Sequence, residues 1–198
     1  MMKQVDLQVT LVVFRIKNNS LCIFMRDNQL PSEQISESTS LDKQVDELFE
    51  KSLGFAQGKN YCEQLYTVSQ ENHVITIAYY LLLSEYDKEK IQEENWKNSL
   101  GKQFPGQEII SYALQRLRWK IEYTNVIYSL LPKTFTLSDL QKAYEIILGK
   151  KFDKRNFRKK ILSLNFVNPT AEKRVINARP AQMYTFTKRT PQLVKVFS

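Results

Sequence analysis

The chain has 198 residues, 42% of them hydrophobic and 25% charged, with a formal net charge of +8. That is ordinary for a soluble globular protein of one large or two small domains, and no apolar run reaches the roughly 18 residues of a membrane span. The opening MMKQVDLQVT lacks a basic segment followed by an apolar core, so it does not read as a signal peptide.

Cys22 and Cys62 have neither metal nor redox spacing and read as reduced core residues of a cytoplasmic protein. His73 is the single histidine and lies in the polar stretch SQENH, where it reads as a turn residue rather than a base or ligand. Charge is unevenly spread. Residues 1–108 carry 11 Lys+Arg against 16 Asp+Glu, net −5, and residues 109–198 carry 18 against 5, net +13. The asymmetry points to two modules, the second facing a polyanion.

VTLVVFR (9–15) and LCIFM (21–25) read as strands, and KNNS between them as the turn of a hairpin. Residues 39–53 read as a helix, capped by Ser40, closed by Gly54, and apolar at Leu41, Val45, Leu48, Phe49 and Leu53. Residues 61–69 and 74–84 read as two more strands, the second buried on both faces. Strands flanking an amphipathic helix make an α+β or sandwich module.

Residues 109–123 (IISYALQRLRWKIEY) form a connecting helix between the modules, with Arg116, Arg118 and Lys120 expected on its solvated faces. Two short helices follow. Thr136 caps the first with Asp139 three residues on, and Gly149 ends it; Asp153 caps the second, DKRNFRKKILSL. In that second helix Phe157, Ile161 and Leu164 face inward, leaving Lys154, Arg155, Asn156, Arg158 and Lys159 outside. Residues 165–168 and 181–186 read as strands around the basic turn AEKRVINARP. Helix, turn, basic helix, strand, basic turn and strand, in that order, describe a winged helix-turn-helix. Such a second helix enters the major groove, where arginine pairs with guanine and asparagine with adenine, so Arg155, Asn156 and Arg158 are candidate base readers. Lys173, Arg174 and Arg179 of the wing are candidate contacts to the DNA backbone or minor groove.

Two resemblances attach to these segments. LPSEQISESTSLDKQVDELFEKSLGF is similar, without a gap, to the Nudix box and its approach, and YCEQLYTVSQENHVITIAYYLLL resembles the strand pair of ADP-ribose-type Nudix domains. The framework residues Leu30, Pro31, Leu41, Phe49, Gly54 and Phe55 match. The chemistry positions do not: the box glycine falls on Glu33, its first glutamate on Thr39, its arginine on Glu47, and its three metal-binding glutamates on Leu48, Lys51 and Ser52. Magnesium wants carboxylate and water oxygens, so the box reads as catalytically degenerate. A one-residue slip that enlists Glu47 and Glu50 rotates each side chain by about 100° and throws Phe49 and Leu53 off the core.

Residues 112–170, then ARPAQMYTF, resemble the winged helix of the NrtR-type Nudix-related transcriptional regulators, above all in LLPKTFTL, in Arg155-Asn156-Phe157-Arg158 and in Arg179-Pro180-Ala181 before Tyr184. Trp119 departs, where the family commonly has glycine. The resemblance implies an α+β chain, a Nudix-like α/β/α sandwich (1–108), a connecting helix (109–123) and a winged helix-turn-helix domain (124–198). It implies a homodimeric repressor on a palindromic operator of double-stranded DNA, released by an NAD-related effector such as ADP-ribose, or by a sugar as in some relatives. No cofactor and no metal are expected. Arg26, Glu63 and Gln64 are the polar candidates beside an effector pocket; a surface Arg26 and a half-buried strand pair remain the alternative. Two rival readings stand: an active ADP-ribose pyrophosphatase-like Nudix hydrolase with a DNA-binding tail, and a module that docks other proteins through both domains.

Overall fold

The computed structural model describes residues 5–69, 73–84, 93–99, 103–176 and 179–197. The N-terminal sheet is built from β1 (Asp6–Lys17), β2 (Ser20–Phe24), β3 (Ser32–Gln34), β4 (Tyr61–Ser69), β5 (Val74–Leu83) and β6 (Trp96–Asn98). Its order is β4-β5-β1-β2-β6, with β3 paired to β1. β1 and β2 are antiparallel around Asn18 and Asn19, both with positive φ, the turn conformation that asparagine tolerates. β1 and β5 run parallel, from Asp6↔Val74 to Arg15↔Leu83. β3 and β6 are three residues each, too short for a period to show in the sequence. His73 lies exposed at positive φ before β5; Gln70, Glu71 and Asn72 of the expected turn lie outside the described residues.

The period-2 alternation of side chains sorts the sheet into two cores. Val9, Leu11 and Val13 of β1, Phe24 of β2 and Leu81 of β5 face α1 (Leu41–Leu53), which contributes Val45, Leu48, Phe49 and Leu53. The helix starts at Leu41 rather than at 39, because the Ser40 hydroxyl accepts from the Lys43 amide and fixes the cap there; Gly54 closes it at φ 81°. Val12, Phe14, Ile23, Tyr80 and Leu82 face the opposite side, where α2 (Gln107–Tyr123) packs Ile110, Ala113, Leu117 and Ile121 against them. The helix expected as a connector therefore also covers the second face of the sheet.

That second core continues without a break into the C-terminal half: a 3-10 turn (Val126–Leu130), β7 (Phe135–Thr136), α3 (Leu137–Leu148), α4 (Lys154–Ser163), β8 (Val167–Ile176) and β9 (Arg179–Phe186). These last strands form a separate sheet in the order β7-β9-β8. The Tyr61 amide of β4 donates to the Ser129 hydroxyl at 3.1 Å, one of the links between the halves. The C-terminal segment returns along the end of α2: Val194 and Val196 amides donate to the Tyr123 and Glu122 carbonyls.

Phe197 then stacks on Phe152 and meets Tyr144 edge-on. Tyr144 is fully buried, and its hydroxyl has no hydrogen-bond partner among the described residues. A buried donor left unmade costs about 1–3 kcal/mol. Tyr144→Phe is therefore expected to raise stability by up to about that amount in chemical denaturation; a loss of stability would show that the hydroxyl does find a partner.

Candidate functional site

The helix-turn-helix is set by local polar chemistry. Thr136 and Asp139 form a reciprocal capping box: the Asp139 amide donates to Thr136 Oγ1 at 3.1 Å and the Thr136 amide to Asp139 Oδ2 at 2.9 Å. α3 ends at Gly149 with φ 68°, where an ordinary side chain is strained. Glu145 organises the turn that follows, accepting from the Phe152 amide at 3.1 Å, Gln141 Nε2 at 2.9 Å and Lys151 Nζ at 2.9 Å. Asp153 Oδ1 then accepts from the Asn156 amide at 2.8 Å and opens α4. Phe157 and Ile161 hold α4 in the core, while Lys154, Arg155, Asn156, Arg158 and Lys159 are exposed.

The strands beyond α4 are longer than residues 165–168 and 181–186. AEKRVI is strand, not turn: Lys173 pairs with Gln182 and Arg174 with Ala181. Both faces of this ribbon carry polar residues, so no alternation marked it. Asn177 and Ala178 at its tip lie outside the described residues. Lys173 and Arg179 are exposed. Arg174 is engaged elsewhere: its Nη2 reaches both carboxylate oxygens of Asp139, at 3.0 and 2.7 Å, which ties the wing to the cap of α3. A cleft of about 730 Å³ opens between α4, β9 and the start of α3, with Lys154, Arg158 and Arg179 among its lining residues.

On the N-terminal module, α1 keeps its packing residues in the core and turns Glu47 and Glu50 to solvent, Glu47 with Lys43 at 3.6 Å. Leu48 is buried. Lys51 pairs with the Glu33 carboxylate at 2.5 Å, so two positions that matter in the Nudix resemblance neutralise each other.

Arg26, Glu63 and Gln64 are not brought together. Arg26 is exposed in the turn closed by its backbone pairing with Gln29. Glu63 and Gln64 are neighbours in β4, opposite Tyr80 and Tyr79, and so point to opposite faces of the sheet. Gln64 Oε1 accepts from the Tyr79 hydroxyl at 3.4 Å. Glu63 lies under α2 and accepts from four donors: Tyr61 Oη at 2.5 Å, Tyr80 Oη at 2.8 Å, Arg116 Nη2 at 2.9 Å and Lys120 Nζ at 3.0 Å.

Arg116 and Lys120 are therefore contacts, not the solvated residues the sequence pattern implied, and Arg118 Nε donates to the Ile147 carbonyl of α3. The available signal was their i, i+4 spacing beside the stripe of Ala113, Leu117 and Ile121.

Burial pushes the Glu63 carboxyl up, but hydrogen bonds from Tyr61, Arg116, Tyr80 and Lys120 outweigh it and hold it down at about 2, from an ordinary 4.5. A carboxylate depressed in the folded state adds stability that is fully present above the unfolded value and is lost as pH falls through the folded one. Glu63→Gln is thus expected to melt well below the parent at neutral pH, the gap narrowing as pH drops from 4.5 to about 2. A gap that stays constant across thermal melts in that range would remove Glu63 from the acid limb.

Comparison with known proteins follows the same division. The NrtR DNA-binding winged helix domain family matches residues 127–186. The ADPR responsive transcriptional repressor NtrR of Acinetobacter baylyi is 32% identical over 123 residues, 57% of this chain and 48% of that protein, so the match spans about half the length of the curated relative. The crystal structure of Shewanella oneidensis NrtR complexed with a 27mer DNA superposes with a TM-score of 0.75 at 25% identity, over 91% of this chain and 93% of that one. A MutT/nudix family protein from Enterococcus faecalis has the same fold, with a TM-score of 0.66 at 18% identity over 95% and 90% of the two chains. Residues 127–186 thus match the NrtR DNA-binding winged helix domain, and the chain as a whole is similar in fold to Shewanella oneidensis NrtR.

Proposed function

We propose that the chain is a DNA-binding transcriptional repressor of the cytoplasm, acting as a homodimer on a palindromic operator. Its Nudix-like module, 1–108, senses a metabolite instead of hydrolysing one, and the winged helix, 124–198, holds the DNA. The observation that carries this reading is the convergence of exposed cations from α4 and β9 on one cleft of the most basic half of the chain. Neutralising DNA phosphates releases counterions, which supplies affinity and makes it salt-dependent. The relative from Shewanella oneidensis was crystallised with DNA, and the one from Acinetobacter baylyi is described as ADPR responsive, which makes ADP-ribose the first effector to test here.

The argument against hydrolysis rests on what α1 lacks. A hard divalent cation needs carboxylate and water oxygens, and the three positions where the Nudix resemblance puts metal glutamates hold Leu48, Lys51 and Ser52. The residues present do not fit the ion. The purified protein is expected to leave ADP-ribose and related diphosphates intact with magnesium or manganese. Turnover that disappears on Glu47→Gln or Glu50→Gln would restore the hydrolase reading.

A ligand that binds only the folded state stabilises it by about 2.7 kcal/mol at a hundredfold excess over its Kd. It acts on DNA binding only if its affinity differs between two states. ADP-ribose, NAD, NMN or a pentose is therefore expected to raise the melting temperature and weaken operator binding in the same concentration range. A melting shift with unchanged DNA affinity would separate the pocket from regulation.

A further inference from the structure

Helix α4 divides its exposed cations between two directions. At about 100° per residue, Lys154 and Arg158 share the side that adjoins the wing, while Arg155 and Lys159 lie across the helix from the buried pair Phe157 and Ile161. The cleft reflects this division. Lys154 and Arg158 line it with Arg179 of β9 and Ser138 of α3; Arg155 and Lys159 do not. Among the described residues no carboxylate lines it. Among the described residues no ion pair holds Lys154, Arg158 or Arg179, in contrast to Arg174, which is neutralised by Asp139. Three uncompensated cations in one concavity is the arrangement expected where an anionic polymer is to be seated.

Shape decides what each direction meets on a duplex. A helix with its side chains is about 10–12 Å across, close to the roughly 12 Å width of the major groove. Inside the groove its outward face looks at base edges and its flanks look at the two sugar-phosphate walls. A residue on the flank that also borders the wing sits between two protein elements, where the backbone of one strand passes.

We infer that Lys154, Arg158 and Arg179 form a seat for the phosphodiester backbone of one DNA strand, and that base reading falls to Arg155 and Lys159. The inference rests on the DNA-binding reading above and refines it: Arg158, by residue type a guanine reader, is a backbone contact here. Arginine grips phosphate bidentately and lysine as a point charge, so either serves in such a seat. The cleft, about 730 Å³, is ample for a sugar-phosphate segment and far larger than a single anion requires.

The test uses the full chain and an operator selected by it from random duplexes, with affinities measured against salt, against single-base operator variants and on an unrelated duplex. Arg158→Ala is expected to lower the slope of log K against log salt by about one unit and to weaken operator and unrelated duplex by the same factor. Arg158→Lys should recover both, because a phosphate accepts a point charge. Arg155→Ala should instead relax preference at one base pair by roughly 5- to 150-fold. If Arg158→Ala relaxes preference at a base pair and leaves the salt slope and the unrelated duplex untouched, the seat is wrong while DNA binding stands. A parent chain that binds no duplex overturns both.

Discussion

One partly buried carboxylate ties α2, the helix that packs against both halves, to the sheet. Glu63 sits under α2 with two tyrosine hydroxyls and two cations on it. Taking a carboxylate and its partners out of water costs several kcal/mol, which the attraction offsets only when every lone pair is used. Here four donors use them. An apolar substitute of the same shape would pack as well, but would not dictate where along β4 the helix must lie. Arg116 and Lys120 fix that register on the sheet side, and Arg118, between them in sequence, reaches the Ile147 carbonyl at the end of α3. One helix is thus pinned to the sheet and to the helix-turn-helix by residues 116, 118 and 120. Removing Glu63 takes the shared acceptor from four partly buried donors at once, which is the expensive direction.

What the sequence disclosed was what is decided locally. The hairpin was legible because Asn18 and Asn19 accept positive φ. α1, α3 and α4 were legible because Ser40, Thr136 and Asp153 each accept from an amide three residues on, and because Gly54 and Gly149 stop the first two. What it concealed was decided at a distance. Arg116 and Lys120 looked solvated because their partner is 53 and 57 residues away. β7 is two residues long and exists only because β9 runs beside it. The wing hid for another reason. Between Pro169 and Lys173 its register shifts, and beyond the shift Lys173, Arg174 and Val175 are all exposed, so the alternation by which a strand announces itself is missing. Arg174 read as a DNA contact by type, and nothing local marked Asp139 as its partner.

The Nudix-like helix shows packing and chemistry separating within a single element. Positions 45, 48, 49 and 53 answer to the core, and apolar residues fill all four. Positions 47, 50 and 51 answer to solvent. There a lysine meets Glu33 and a glutamate meets Lys43, pairs that are worth little in high dielectric but cost little to keep. Leu48 belongs to both sets in the Nudix resemblance, and here it is committed to the core. A helix under these constraints holds the sandwich together whether or not it holds an ion.

The basic half has its own internal economy of charge. Its five acids are Glu122, Asp139, Glu145, Asp153 and Glu172. Asp139 caps α3 and draws in Arg174, Glu145 ties the turn and Lys151, and Asp153 caps α4. Three of the five are therefore consumed in building the helix-turn-helix. None of these three is among the residues lining the cleft where Lys154, Arg158 and Arg179 meet. Structural acids and exposed cations occupy separate places on the same small domain. The consequence is a field that is locally neutral where the chain turns and strongly positive where α4 meets the wing. Such a surface carries a self-repulsion that salt screens and a bound polyanion would relieve.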